Sequence, residues 1–186
     1  MALSTIDPKT ALVVIDMQKG ITSLPTAHPM DDIISNNSSL TNAFRAHKRP
    51  VILVNVTGRA SGRTERTLSS SAKRPGDWAE LIPELNEETD DIKVTKKTWG
   101  AFHNTSLDDR LKELGVTQVV ISGVATSAGV ESTARAAHEH GYNVTLATDA
   151  MTDLSSAAHD NSVNIIFPKL GETGTTQEII ELLNKS

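Results

Sequence analysis

The residues best placed to do chemistry stand at the ends of short apolar runs. Residues 11–15 (ALVVI) lead into Asp16 and Gln18, and residues 51–56 (VILVNV) carry Asn55 and lead into Thr57. Residues 91–95 (DIKVT) lead into Lys96 and Lys97, residues 118–122 (QVVIS) into a glycine-containing stretch ending at Thr126, and residues 143–147 (NVTLA) into Thr148 and Asp149. If these runs are parallel strands, their ends share one rim, and in an open parallel sheet ligands bind outside the carboxyl ends of the strands. That rim would hold a carboxylate, an ammonium and a helix start. A carboxylate and an ammonium can share a proton-transfer task, and helix-start amides can hold a developing negative charge. Blander roles suit the same residues. Asp16 can cap the next element or pair with a surface lysine. Lys96 and Lys97 can form an ordinary solvated pair, and spacing does not separate them. Thr126 and Ser127 suit helix N-caps as well as ligand donors.

The elements that would position these residues are readable in outline. The runs are rich in β-branched residues, and a sixth, residues 162–167 (SVNIIF), has the same character. Continuous apolar runs of this length fit strands buried on both faces. Helical patterns lie between them. Residues 31–47 carry a moderate apolar stripe. Residues 106–114 space Leu107, Leu111 and Leu114 at i, i+4 and i+7, with Asp108 and Asp109 in the first turn and Gly115 as the stop. Residues 127–140 end at Gly141, and at the start of residues 176–184 Thr175 and Glu178 stand at capping-box spacing. Strands alternating with helices imply an α/β fold, a parallel sheet with helices on both faces. Residues 57–77 (TGRASGRTERTLSSSAKRPGD) break the pattern with a long polar stretch of the kind that forms either a solvated loop or a lid. Its Arg59, Arg63, Arg66, Lys73 and Arg74 can be plain surface or can bind a substrate carboxylate, for which Arg is geometrically suited.

Composition narrows the function. The chain has 186 residues, enough for about one domain spanning 1–186. Its net charge of −5 opposes nucleic acid as a main partner, because such binding needs clustered cations. With no Cys, disulfides, thiolate metal sites and a cysteine nucleophile are closed routes. No apolar run reaches a membrane span and no signal-peptide core precedes residue 10, so the expected setting is cytoplasmic, away from membranes.

The blocks LVVIDMQ, VTKKTWGAFHNTSLD and ISGVATSAGVESTARAAHEHGYNVTLATDA, in this order, resemble the isochorismatase-like hydrolases, also called cysteine hydrolases. The resemblance runs from about Thr10 to Pro168. It implies a single three-layer α/β/α domain with a six-stranded, mostly parallel sheet in the Rossmann-like order 3-2-1-4-5-6. Asp16 is similar to the family's catalytic Asp, and Lys96, three residues before Trp99, looks like the catalytic Lys. The family Cys closes the pattern G-V-A-T-x-x-C, and that position here is Gly129. The isochorismatases proper dispense with the thiol, so Gly129 tilts the resemblance towards them. The resemblance also implies a cis peptide at Val124–Ala125, and homo-oligomers. The helix at 127–142 offers Ala134, Ala136 and Ala137 for close packing between copies or against its own sheet. The Asp-x-His metal pair of the nicotinamidase branch has no counterpart in NVTGRASGR, so neither a metal nor another cofactor is expected.

The resemblance therefore implies a hydrolase with Asp16 as general acid/base and Lys96 as its electrostatic partner, acting on a small anionic substrate such as a vinyl ether. Gln18, Trp99, Phe102, Val124, Ala125 and Thr126 are the expected substrate contacts. Trp99 and Phe102 suit a core as well as a substrate platform. Gly129 suits close packing as well as room for a substrate. One physical tension stands: a neighbouring cation lowers a carboxyl pKa, whereas an acid must keep its proton. Two rival readings share the residues, an amidase or carbamoyl hydrolase using water in place of the thiol, and a non-catalytic member that kept the fold. A buried Asp16–Lys96 pair has no use in a pure scaffold.

Overall fold

The computed structural model describes residues 3–65 and 75–186. Its strands are β1 (Thr10–Ile15), β2 (Val51–Val56), β3 (Ile92–Lys96), β4 (Gln118–Val124), β5 (Asn143–Thr152) and β6 (Glu172–Gly174). They form one sheet in the order β3-β2-β1-β4-β5-β6, and every pairing is parallel. Every residue of the central strands β1 and β4 is buried. This is why their sequences are continuous apolar runs instead of alternating ones.

Helices α1 (Lys19–Thr22), α2 (Met30–Ala46), α3 (Leu107–Glu113), α4 (Glu131–Glu139), α5 (Ser156–Asn161) and α6 (Thr176–Leu183) complete the fold. On one face Val13, Ile15 and Ile121 pack with Leu107 and Leu111 of α3 and Ala134 and Ala137 of α4. On the other, Leu12, Val14 and Val120 pack with Leu40 and Phe44 of α2 and Ile179 and Leu183 of α6. Ala134 and Ala137 thus serve α4's packing on its own sheet, and of the three alanines only Ala136 is half-exposed. The capping box at Thr175 and Glu178 is formed as its spacing predicts. No helix among the described residues is long and apolar enough to cross a membrane.

The structure corrects the sequence reading in three places. Residues 162–167 are not the sixth strand: Ser162–Ile166 form a π turn and Phe167–Lys169 a 3₁₀ turn. A short apolar run does not distinguish strand from buried helix, and Pro168 has no N–H to give a ladder. The edge strand is β6, three residues paired with Thr145, Leu146 and Ala147. Second, β5 continues to Thr152 across an irregularity, with Ile121 opposite Leu146 but Gly123 opposite Met151. Asp149 leaves the rim there, and its Oδ1 accepts from Thr176 N (2.7 Å) and Oγ1 (2.9 Å) at the start of α6. Third, the helix expected from residue 127 begins as a π turn over Thr126–Val130, and α4 follows. Of the long loop, Arg66, Lys73 and Arg74 lie outside the described residues.

Candidate active site

The site is built where β1 ends. Asp16 follows Ile15 with φ 51°, the left-handed region. Such a conformation costs on the order of 1 kcal/mol for a residue other than glycine and is tolerated best by Asn and Asp. Its N–H donates to Val54 O (2.9 Å), and its carbonyl accepts from Gln18 N (2.8 Å). The carboxylate meets Lys96, the last residue of β3, with Lys96 Nζ donating to Asp16 Oδ2 at 2.6 Å. The two side chains are 8% and 1% exposed. Lys96 Nζ also donates to Thr98 O (3.3 Å), while Asp16 Oδ1 is buried and receives no hydrogen bond.

A buried ion pair is poor evidence of stability, because desolvation offsets the attraction. Its effect here is on the proton. Burial pushes the Asp16 carboxyl from 3.8 up to about 6, against the pull of the neighbouring Lys96 charge. The tension between cation and acid is thus resolved by desolvation. A carboxyl titrating near neutrality can both give and take a proton at working pH.

Gly129 lies on the π turn directly against this pair. A β-carbon there would stand 3.3 Å from Asp16 Oδ2, 3.6 Å from Lys96 Nζ and 2.9 Å from Ile15 Cγ2. The position faces the pair, but the turn approaches so closely that a side chain would displace the Ile15 methyl. Close packing against Ile15 is by itself a reason for the glycine. Gly123 permits a similar approach of β4 to β1: it has φ 108°, and its β-carbon would fall 2.0 Å from Ile15 O. Thr133 Oγ1 donates to Gly129 O (2.6 Å) and accepts from Ala101 N (3.0 Å), tying the turn to the segment after β3.

The remaining expected contacts divide. The Val124–Ala125 peptide is cis and leads into the π turn. Trp99 follows Lys96 and is 67% exposed. Gln18 is fully buried, with Nε2 donating to Val56 O and Trp78 O (3.1 Å each) and Oε1 accepting from Val56 N (2.8 Å). Its amide binds backbone. Phe102 packs against the core and stacks on His140 with ring centroids 5.1 Å apart.

Thr126 and Ser127 are not caps. Thr126 Oγ1 lies 2.9 Å from His159 Nδ1, and Ser127 N and Oγ both donate to Asp153 Oδ2 at 2.8 Å. Neither partner had a motif in the sequence, and only the packing of α5 and the end of β5 brings them to the turn. Among the described residues no three acidic or histidine side chains are grouped to hold a metal ion.

An isochorismatase domain matches residues 10–178. The isochorismatase family protein YwoC of Bacillus subtilis is 38% identical over 179 residues, 93% of each chain. YecD of Escherichia coli O157:H7, of the same family, is 37% identical over 188 residues, covering 94% of this chain and 96% of its own. The structure of an isochorismatase family protein from Burkholderia thailandensis superposes with a TM-score of 0.92 at 38% identity, over 97% of this chain and 98% of that one. On these matches the chain belongs to the isochorismatase family, whose members are hydrolases.

Proposed function

We propose that this protein hydrolyses a small anionic vinyl ether without a covalent nucleophile, with Asp16 as the acid and Lys96 as its electrostatic partner. The observation that carries the reading is the corner itself. The family's thiol position is a glycine pressed against a carboxyl that holds its proton up to about pH 6. Asp16 gives its proton to the terminal carbon of the enol ether, making a methyl group and an oxocarbenium ion. Water adds to that cation and returns a proton to Asp16. The hemiketal then collapses, the C–O bond to the leaving alcohol breaks, and pyruvate and the alcohol depart. No step needs a thiol. Lys96 compensates the carboxylate left after proton transfer.

Support for an anionic substrate comes from the exposed cations after β2 and β3. Arg59, Arg63 and Lys97 are exposed and form no ion pair among the described residues. Exposed cations draw in anions and can bind carboxylates.

The test is incubation with a vinyl-ether carboxylate and, separately, a panel of amides and carbamoyl compounds, following pyruvate and ammonia. Pyruvate release that falls as pH rises through about 6 is expected, because the acid form of Asp16 is the active one. Ammonia release without pyruvate would replace this reading with the amidase one.

A further inference from the structure

The π turn that carries Gly129 has no side-chain cap of its own. Its first residue is fastened from outside. His159 of α5 is 7% exposed, and its Nδ1 lies 2.9 Å from the fully buried Thr126 Oγ1. The His28 ring stands edge-on to His159 with centroids 4.5 Å apart, and His28 Nδ1 in turn meets Thr152 Oγ1 at 2.9 Å. The next residue of the turn, Ser127, is fastened to Asp153. Gly129 sits three residues beyond Thr126, where a shift of a few tenths of an ångström alters its contact with Asp16 and Lys96. π turns of this kind recur at functional sites.

We propose that His159 is a positioning residue: through Thr126 it holds the Gly129 turn against the Asp16–Lys96 pair, and it does so only as the neutral imidazole. The inference rests on the hydrolase reading for its kinetic consequence, but its structural claim stands on the hydrogen bond and the burial. Protonation would put a cation in a buried site beside a second imidazole. The groups facing it offer little compensation. Asp153 already accepts from Ser127 and from Ser155 N (3.3 Å). Asp160 lies next in the chain on exposed α5 surface. Glu131 of α4 is engaged by Arg135 and Ser162. With Nδ1 accepting from Thr126 Oγ1 in the neutral tautomer, protonation would reverse the bond and force Thr126 Oγ1 to accept. Burial, followed by the His28 imidazole, holds His159 below the usual imidazole range, while Asp160 and Asp153 pull the other way. The neutral form therefore dominates at neutral pH, and acid works against the turn.

Activity should then be bell-shaped in pH, with Asp16 setting the fall on the alkaline side and His159 the fall on the acid side. His159→Asn, whose amide can meet Thr126 without titrating, should keep most of the neutral-pH turnover and lose the acid-side fall. His159→Leu should lower kcat about 10-fold or more with KM little changed, as misplaced catalytic groups do. Thr126→Val should match it, and the double variant should add nothing.

A measurement independent of turnover separates this inference from the hydrolase reading. In Asp16→Asn protein, which removes the carboxyl's own titration, the backbone amides of Thr126, Ser127 and Gly129 are followed by NMR while the His159 ring is titrated. Amide shifts that track His159 and vanish in His159→Asn are expected. Amides that stay fixed through the His159 titration, or a His159→Asn pH profile that superposes on wild type, would overturn the proposal.

Discussion

The two ends of the central strands are both buried and both polar, yet they are built on opposite plans. At the amino end, Gln118 is 2% exposed and every hydrogen-bonding site of its amide is met. Oε1 accepts from Asp7 N (2.7 Å) and Thr10 Oγ1 (2.6 Å), and Nε2 donates to Thr5 O (3.2 Å) and Thr145 Oγ1 (3.1 Å). The cluster is neutral and fully satisfied, the condition under which buried polar groups add stability. At the carboxyl end, Asp16 is charged or protonated by choice of pH, has one unmet oxygen, and stands on a left-handed backbone. Burial is the same, so burial alone does not mark a site. What marks it is a buried group the protein leaves unsettled. The amino end fixes the strands, and the carboxyl end uses that rigidity to hold a reactive carboxyl.

Asp16→Asn should break the carboxyl end most. Removing a general acid lowers kcat by about 10²–10⁴-fold, and circular dichroism should show the fold intact. Activity within a few-fold of wild type in the folded variant would remove Asp16 from the mechanism. Gln118→Leu tests the other end. It strands several buried donors and acceptors, so unfolding should become easier by about 2–4 kcal/mol while kcat and KM stay put. A loss of turnover without loss of stability would erase the division between the two ends.

Gly129→Ala should have a smaller effect on both properties at once. Its methyl must push Ile15 Cγ2, which is 2.9 Å away, and overpacking of this kind costs about 1–3 kcal/mol. The same methyl points at Asp16 Oδ2, so kcat/KM should fall as well, read from steady-state kinetics and thermal melts on one preparation. Unchanged values in both would mean the turn stands further from the pair.

How much of this was legible in the sequence follows from what each feature depends on. The strands β1, β2 and β4 were readable because burial on both faces demands a continuous apolar run, whereas β3, at the sheet edge, alternates exposed and buried residues and shows only Ile92 and Val94 as its apolar signal. Residues 162–167 satisfied the same pattern as a helical turn, with Ile165 53% exposed and Phe167 fully buried. The true β6, Glu-Thr-Gly, carries no apolar signal at all. Asp16 and Lys96 were legible as polar residues at strand ends, but only the resemblance in block order separated Lys96 from Lys97 and picked out Gly129. The structure brings Asp16, Lys96 and Gly129 within hydrogen-bond or van der Waals reach. Gln18 was read from its place after the first strand and Phe102 from the resemblance; the structure shows the Gln18 amide bonded to Val56 of β2 and the Phe102 ring stacked on His140. Asp153 and His159 had no local pattern, because their role exists only once β5 and α5 dock beside the turn.

The smallest expected effect is also the most direct test of the contrast, because it reads the Asp16 proton without a substrate. The carboxyl is raised from 3.8 to about 6 on folding, so between those values the folded chain binds the proton more tightly than the unfolded one. By linkage, the stability this group contributes is fully present below about 3.8 and is lost as pH rises through about 6. Asp16→Asn has no such proton. The difference in Tm, variant minus wild type, should therefore grow as pH rises from about 4 to about 7. The variant also costs Lys96 its carboxylate partner, which adds an offset, so the prediction concerns the slope. His159, Glu178 and the other titrating groups are common to both proteins and cancel in the difference. The Gln118→Leu difference should be flat over the same range, since an amide does not titrate. Parallel melting curves for Asp16→Asn and wild type would mean that the carboxyl is as settled as the Gln118 amide, and the carboxyl end would then lose the property that sets it apart.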